Sequence, residues 1–540
     1  MSRATSPPIL SFERALRLAC LATIASSALQ IVLFDHGRDQ GIYALVARSM
    51  LEGGMPYRDA FDFKPPGIFV LYALARLVSG SAEWGIRALE VAGLAGMVAA
   101  MVSLAGRAWG DRTAGWLAGA LTALVHAQLE FWHTAQPETF GGMLSIFGVW
   151  LVCPDAARED ERPQGFRLVA AGVAFGAAGL LKPPLAGGGA ALGIWAAVRA
   201  MRAEGSRRAG LRPLGLVFLG GVLPIAASLA WFTARGALHD LHETLFVFTP
   251  HYTELSWRDR TLLGMLYQSL TEWLVNYSSV VTIGLALGLA TWKSAWERPL
   301  VPLFASIVAV HIVGVALQGK FFPYHYGATW PFTALLAGLG WNELWRWARE
   351  RGPAFAVGFA VTMVAASTLR TATKDLADSF WTRAGRRLGL LAGGWRDDIA
   401  IDGLATVADV NANGNRKVAE FLRSHVPSGG SAFVWGFEPI VYDLAGVRSA
   451  SRYIYNVPQR VAWAAEPSRR ELMCELRSHR PEVIVVASGD VFPVVTDNVF
   501  GSDHVLAHDF KELRELLDSA YRKHTRIDDF ELYVRNDAGP

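Results

Sequence analysis

Cysteine is nearly absent, with 3 in 540 residues. Cys20 and Cys153 lie in apolar runs and Cys474 stands alone, a spacing that gives neither a disulfide framework nor a Cys-based metal site. Charge is also scarce, at 18% of residues, where soluble chains carry about 25%. The net charge of +3 is too small to argue for a nucleic-acid partner, and no basic patch suggests one. Internal repeats and low-complexity tracts are missing. What abounds is apolar: 52% of residues are hydrophobic, with 19 Trp and 28 Phe, and the mean hydropathy is positive. Apolar runs of roughly 17–25 residues recur, each long enough to cross a hydrocarbon layer of about 30 Å. The fold class is therefore a polytopic α-helical membrane protein.

About eleven spans follow from run length: 15–34, 84–106, 113–131, 138–153, 168–181, 184–199, 213–234, 274–292, 299–318, 326–345 and 353–370. Arg3, Arg14 and Arg17 precede the first run as in a signal peptide. The run is too long for a signal h-region and reads as an uncleaved span. With the N-terminus cytoplasmic, every short inner connection is basic: Arg107 and Arg112; Arg158, Arg162 and Arg167; Arg199 to Arg212; Lys293 and Arg298; Arg346, Arg349 and Arg351. That pattern satisfies the positive-inside rule. Residues 65–80, "PPGIFVLYALARLVSG", are too short to cross and carry Arg76, so they read as an interfacial helix on the outer surface. The first outer loop is then 35–83.

Beyond residue 370 the composition changes. Strand-like "SAFVWGF" (431–437) and "PEVIVVAS" (481–488) alternate with helix-like "NRKVAEFLRSH" (415–425) and "FKELRELLDSAY" (510–521), before "FELYVRN" (530–536). This alternation predicts an extracytoplasmic α/β domain. The organisation is a membrane domain, 1–370, a linker, 371–395, and a soluble domain, 396–540.

The densest polar stretch is "FDHGRDQGIYALVARSMLEGGMPYRDAFDFKPPGIF" (34–69), in the first outer loop. It supplies Asp35, Asp39, Arg58, Asp59, Asp62 and Lys64. Other outer turns bring His133, Gln136, Glu138, Lys182, Lys320, Tyr324, His325 and Tyr326 to the same depth. Ionisable groups converging at a membrane boundary suit a substrate that is part lipid and part charged.

Asp39 with Tyr43 four residues on, "GGMPYRD" (53–59) and "KPP" (64–66) resemble the first-loop signature of GT-C glycosyltransferases, among them protein O-mannosyltransferases and lipid A aminoarabinose transferases. "AQPETF" (135–140), "GLLKPP" (179–184) and "FFPYHYGATWPFTALLAG" (321–338) are similar to later landmarks of that group, in the same order. The likeness covers most of 15–345. "VWGFEPIVYDLAG" (434–446) looks like the periplasmic domain of bacterial members.

The resemblance implies a bacterial inner-membrane enzyme with a polyprenyl-phosphate sugar donor and inverting transfer to a lipid, protein or polysaccharide acceptor outside the membrane. Such a reaction needs a base for the acceptor hydroxyl and cations for the departing phosphate. By position in the motifs, Asp39 is the candidate base. Lys64 is the candidate phosphate ligand, with Arg58, Lys182 and His325 as helpers. Glu138 matches the second acidic position, as a group that orients the acceptor or pairs with Lys or Arg. Tyr43, Gln40, Tyr57 and Tyr326 are candidate substrate-binding residues. The family motif is Asp-Glu where this chain has Asp39-Gln40, so acceptor class and metal use stay open. No cofactor is required by this chemistry, and no metal ligand is assigned.

Each assignment has a plainer competitor. Asp39 could cap a helix over 41–51, Asp35 could be a solvated loop residue, and Lys64 and Lys182 could be interfacial lysines. Glu138 could serve a helix dipole, and His311 reads as a packing residue. The His239, His242, Glu243 and His251 group has no recognised ligand spacing. At the level of function, the competitors are a transporter or flippase of lipid-linked sugar and a non-catalytic membrane scaffold. A transporter would show repeated halves and ionisable residues near the midplane, which this sequence lacks.

Overall fold

The computed structural model describes residues 9–153, 163–276, 279–291, 298–369, 379–393, 398–407 and 410–537. Arg3, Arg158, Arg162, Lys293 and residues 371–378 and 394–395 of the linker lie outside the described residues. The chain divides into two compact units. One comprises Met1–Phe34, Arg87–Ser228 and Thr261–Ala384; the other comprises Asp35–Ile86, Leu229–Arg260 and Gly385–Pro540. The first outer loop thus belongs to the same compact unit as the C-terminal domain, a grouping that composition does not reveal.

The helical unit is built from apolar runs that satisfy their backbone groups internally, as a hydrocarbon setting demands. Among the described residues, four helices are long and apolar enough to cross a membrane: Phe12–Val32, Trp84–Trp109, Arg207–Ala234 and Val301–Gln318. Other segments read as spans from the sequence are helical but shorter, among them Pro137–Val152, Gly165–Leu181 and Pro353–Leu369. They stop at helix breakers: Lys182-Pro183-Pro184 ends one and Gly352-Pro353 separates another from Trp330–Arg351.

Glycine lets these helices touch backbone to backbone. A Cβ on Gly172 would stand 2.2 Å from the Val217 carbonyl oxygen, and one on Gly176 2.2 Å from that of Gly221. This is a small-xxx-small seam, in which close approach and van der Waals contact replace the hydrophobic effect that lipid cannot supply. A second seam joins Ser279–Ala290 to Trp330–Arg351, where a Cβ on Gly340 would lie 2.0 Å from the Gly284 carbonyl.

The other unit contains a five-stranded sheet in the order Arg448–Ser449, Ser431–Trp435, Val483–Ala487, Phe530–Arg535, Tyr521–Ile527. The first three strands are parallel and the last two antiparallel. "VIVVA" is buried at every residue, as a strand covered on both faces must be. Helix Ala412–His425 leads into the sheet, and helices Ala465–His479 and Lys511–Ala520 connect its strands. The first outer segment joins this unit through helix Arg38–Leu51, helix Gly67–Ser79 and a backbone bond from Phe61 N–H to the Arg452 carbonyl at 2.8 Å. Gly67–Ser79 buries Phe69 and Tyr72 yet exposes Val70, Leu74, Leu77 and Val78. Its buried face packs within this unit, and its other face is also apolar.

Gly176→Val should break the first seam, because the obstructing atom is a carbonyl that cannot rotate away. The expected cost is at least about 1–3 kcal/mol, read as a lower folded fraction in fluorescence-detected size exclusion. Ala177→Val, whose neighbour position is not in the seam, should retain a normal elution profile.

Candidate active site

The helix Arg38–Leu51 begins without using Asp39 as its cap. Gly37 is the N-cap, and its N–H donates to the Gln40 Oε1 at 3.0 Å. Asp39 therefore lies inside the first turn, half-buried, and the capping alternative considered for it does not hold. Gln40 is fully buried and its carbonyl oxygen serves the helix start. Arg38, on the other side of Asp39, is buried against Glu438, with Nε and Oε1 2.6 Å apart. Asn415 Nδ2 donates to the second Glu438 oxygen at 2.8 Å, and the Arg38 guanidinium lies 4.6 Å above the Phe492 ring. Both neighbours of Asp39 are thus fixed.

Of the other acids nearby in sequence, Asp35 is committed to an ion pair with Arg416, which also lies 3.8 Å from Glu83. Burial raises the Asp35 carboxyl above its ordinary value although the Arg416 charge pulls it down. Asp59 holds Arg58 at 2.8 Å on the exposed surface, and Arg58 Nη1 donates to the Arg235 carbonyl at 3.2 Å.

Asp62 is the acid that sequence reasoning noticed but did not assign a role. It is 1% exposed, accepts the Tyr455 hydroxyl at 2.9 Å, and its Oδ2 has no side-chain or backbone partner at hydrogen-bond geometry among the described residues. Burial pushes its carboxyl up to about 6; the Lys64 charge and the Tyr455 hydrogen bond oppose this and the Asp39 charge adds to it. Tyr252 and Tyr455 have raised phenols, mainly by burial, with the charges of Asp39 and Asp62 contributing. Asp39, Asp62, Lys64, Tyr252 and Tyr455 therefore share one electrostatic neighbourhood. Tyr252 and Tyr455 carry no local sequence signal, since their link to the first outer segment spans some two to four hundred residues.

Lys64 is held from behind. The Tyr57 hydroxyl donates to the Lys64 carbonyl at 2.8 Å, and its ring stacks on Phe232 at 5.7 Å. Tyr57 is fully buried with φ of 71°, a left-handed conformation unusual for a bulky residue. Tyr43 is also fully buried, packed edge-on to Tyr72 at 5.4 Å. Tyr43, Tyr57 and Gln40 thus build the support of the segment rather than its open face.

The remaining candidates belong to the helical unit. Glu138, in the first turn of Pro137–Val152, is buried and ion-paired with Lys182. Its Oε2 has no hydrogen-bond partner among the described residues. The Lys182 ammonium lies 5.9 Å from the Tyr324 ring centre. His325 donates from Nδ1 to the Lys320 carbonyl at 2.6 Å and packs edge-on to Tyr324 at 4.6 Å. The Tyr326 hydroxyl donates to the Ser269 carbonyl at 3.1 Å, so this buried residue braces the turn. The turn before Glu138 is fixed by Glu90, whose Oε1 meets His126 Nε2 at 2.7 Å and the Ala135 N–H at 2.5 Å. Arg87 pairs with the other Glu90 oxygen at 3.1 Å.

Among the described residues, no group of three or more His, Cys, Asp or Glu side chains is arranged to hold a metal ion. His242 and Glu243 are exposed, and His251 stacks on Trp463 at 6.0 Å.

The Asp62 carboxyl gives a testable pH dependence. Its folded value of about 6 exceeds the ordinary value of 3.8, so the native state binds the proton more tightly. The contribution is fully present below about pH 4 and is lost as pH rises through 6, an effect of about 3 kcal/mol. Asp62→Asn, which can still accept from Tyr455, should remove this component. The difference in apparent melting temperature between variant and wild type should grow in the variant's favour from pH 4 to 7.

No protein-family model matches the chain, and no curated protein sequence matches it. Solved structures do. ArnT from Cupriavidus metallidurans bound to undecaprenyl phosphate matches with TM-score 0.56 and 15% identity, covering 97% of this chain and 99% of that one. The same protein in the apo state matches with TM-score 0.57 and 16% identity, covering 97% and 98%. The likeness extends over both units and nearly the full length of both proteins. This chain has the GT-C fold that the order of its motifs led one to expect.

Proposed function

We propose that the protein is an integral-membrane glycosyltransferase that moves a sugar from a polyprenyl-phosphate donor to an acceptor hydroxyl on the extracytoplasmic side, with inversion. Support comes from the shared fold with ArnT, a protein solved with undecaprenyl phosphate bound, and from the apolar helices. The observation that carries the reading is the state of Asp39. It is a half-buried carboxylate in the first turn of a helix whose cap is supplied by other residues, in the electrostatic neighbourhood of Lys64 and Asp62.

In this reading Asp39 accepts the acceptor hydroxyl proton as the acceptor oxygen attacks the anomeric carbon. The bond from that carbon to the phosphate oxygen breaks, and the phosphate leaves with the electron pair. A phosphate is a good leaving group, so no general acid is needed; the Lys64 ammonium offsets its growing charge. The Tyr57 bond to the Lys64 backbone fixes the root of that side chain.

Asp39→Asn should reduce transfer by about 10²–10⁴-fold with purified lipid-linked donor, while expression and elution stay normal. Turnover at the wild-type rate would remove Asp39 from the base role. Lys64→Ala should lower turnover and weaken donor binding. Donor that is translocated across liposomes without being consumed would instead indicate a transporter.

A further inference from the structure

A cavity of about 900 Å³ lies in the helical unit where Trp84–Trp109 ends, Arg112–Gln128 begins and Trp330–Arg351 ends. Its wall contains Arg17, Arg112, Arg298, Arg346 and Arg349, with Trp109 beside them. None of these residues takes part in the transfer chemistry proposed above.

Among the described residues, the charges around it do not balance. Glu13 forms an ion pair with Arg349 and lies 3.8 Å from Arg17. Glu343 forms one with Arg298 and lies 3.6 Å from Arg346. Two carboxylates therefore serve four guanidinium groups. Asp111 accepts from the Thr113 N–H at 2.8 Å and from Asn342 Nδ2 at 2.8 Å, and its charge also acts on Arg346, so three carboxylates face the five guanidinium groups. Arg112 is exposed and makes no ion pair among the described residues. The Arg298 and Glu343 side chains are each 17% exposed, so solvent screens this part of the wall weakly.

Basic residues at helix ends normally need only reach water. Here they surround a common volume of the size that small-molecule sites have, and the excess positive charge is left for a ligand. Planar guanidinium groups bind phosphate oxygens in pairs and tolerate partial burial better than ammonium groups. We infer that this arginine-lined cavity is a binding site for a phosphate group, carried by an anionic phospholipid headgroup or by a soluble phosphate compound. Trp109 donates its indole N–H to the Pro299 carbonyl at 2.7 Å, an aromatic at a helix end of the kind that sits at headgroup level.

The test uses the full-length protein in nanodiscs and reads binding, not sugar transfer. Native mass spectrometry compares retention of phosphatidylglycerol and phosphatidylcholine by wild type, Arg112→Gln and Arg346→Gln. Calorimetry with inorganic phosphate and pyrophosphate, in phosphatidylcholine nanodiscs, covers the soluble source. Arg112 is exposed and makes no ion pair among the described residues, so its replacement should leave the fold intact. Loss of one guanidinium–phosphate contact should weaken binding about tenfold or more. Selective phosphatidylglycerol retention that the variants lose supports the site with a lipid ligand; phosphate or pyrophosphate binding that they lose supports it with a soluble one. Arg346→Lys, which keeps charge but lacks the fork, should fall between wild type and Arg346→Gln. If neither class of ligand distinguishes wild type from the Gln variants, the site does not exist.

Discussion

The buried ion pair between Arg38 and Glu438 constrains everything around Asp39. Both partners are almost wholly buried, and the Glu438 oxygens accept from Arg38 and Asn415. Removing one partner of such a pair leaves an uncompensated charge, typically a loss of about 3–5 kcal/mol. A pair of this kind adds less to net stability than to geometry, since a single arrangement satisfies it. Arg38 is the residue before Asp39, so the α/β domain fixes the first turn of the helix that carries the candidate base.

The tie is repeated along the first outer segment. The Asp62 carboxylate accepts from Tyr455, Arg76 meets Asp443 at 2.6 Å, and Asp35 pairs with Arg416. Each joins a residue of the 35–86 segment to the C-terminal domain, and each is wholly or partly withdrawn from solvent. The density of charge that marks this segment in the sequence thus has two uses. Asp35, Arg38, Asp62 and Arg76 are drawn into pairs that fasten the segment, while Asp39 remains half-buried in its first turn.

Run length and periodicity made much of this legible. "FVW" and "VIVVA" are unbroken apolar runs and form the central strands, and the amphipathic "NRKVAEFLRSH" is the helix its pattern demands. "YRKHTRI" gave no such signal, yet it is a strand, because pairing with Phe530–Arg535 decides its conformation and its charges suit an exposed edge. Asp39 and Lys64 were visible through motif order, whereas the support of Gln40 on Gly37 and the Tyr455 contact were not. Those depend on which groups the fold brings together, and hydrogen-bond partners distant in sequence leave no periodicity to detect.

The glycine seams of the helical unit have a thermal consequence. Cohesion by backbone contact between helices does not draw on the release of ordered water, so it carries little of the heat-capacity change that curves a stability profile. The sheet-containing unit buries its strands away from water and inherits that curvature. Cooling should therefore weaken the two units unequally.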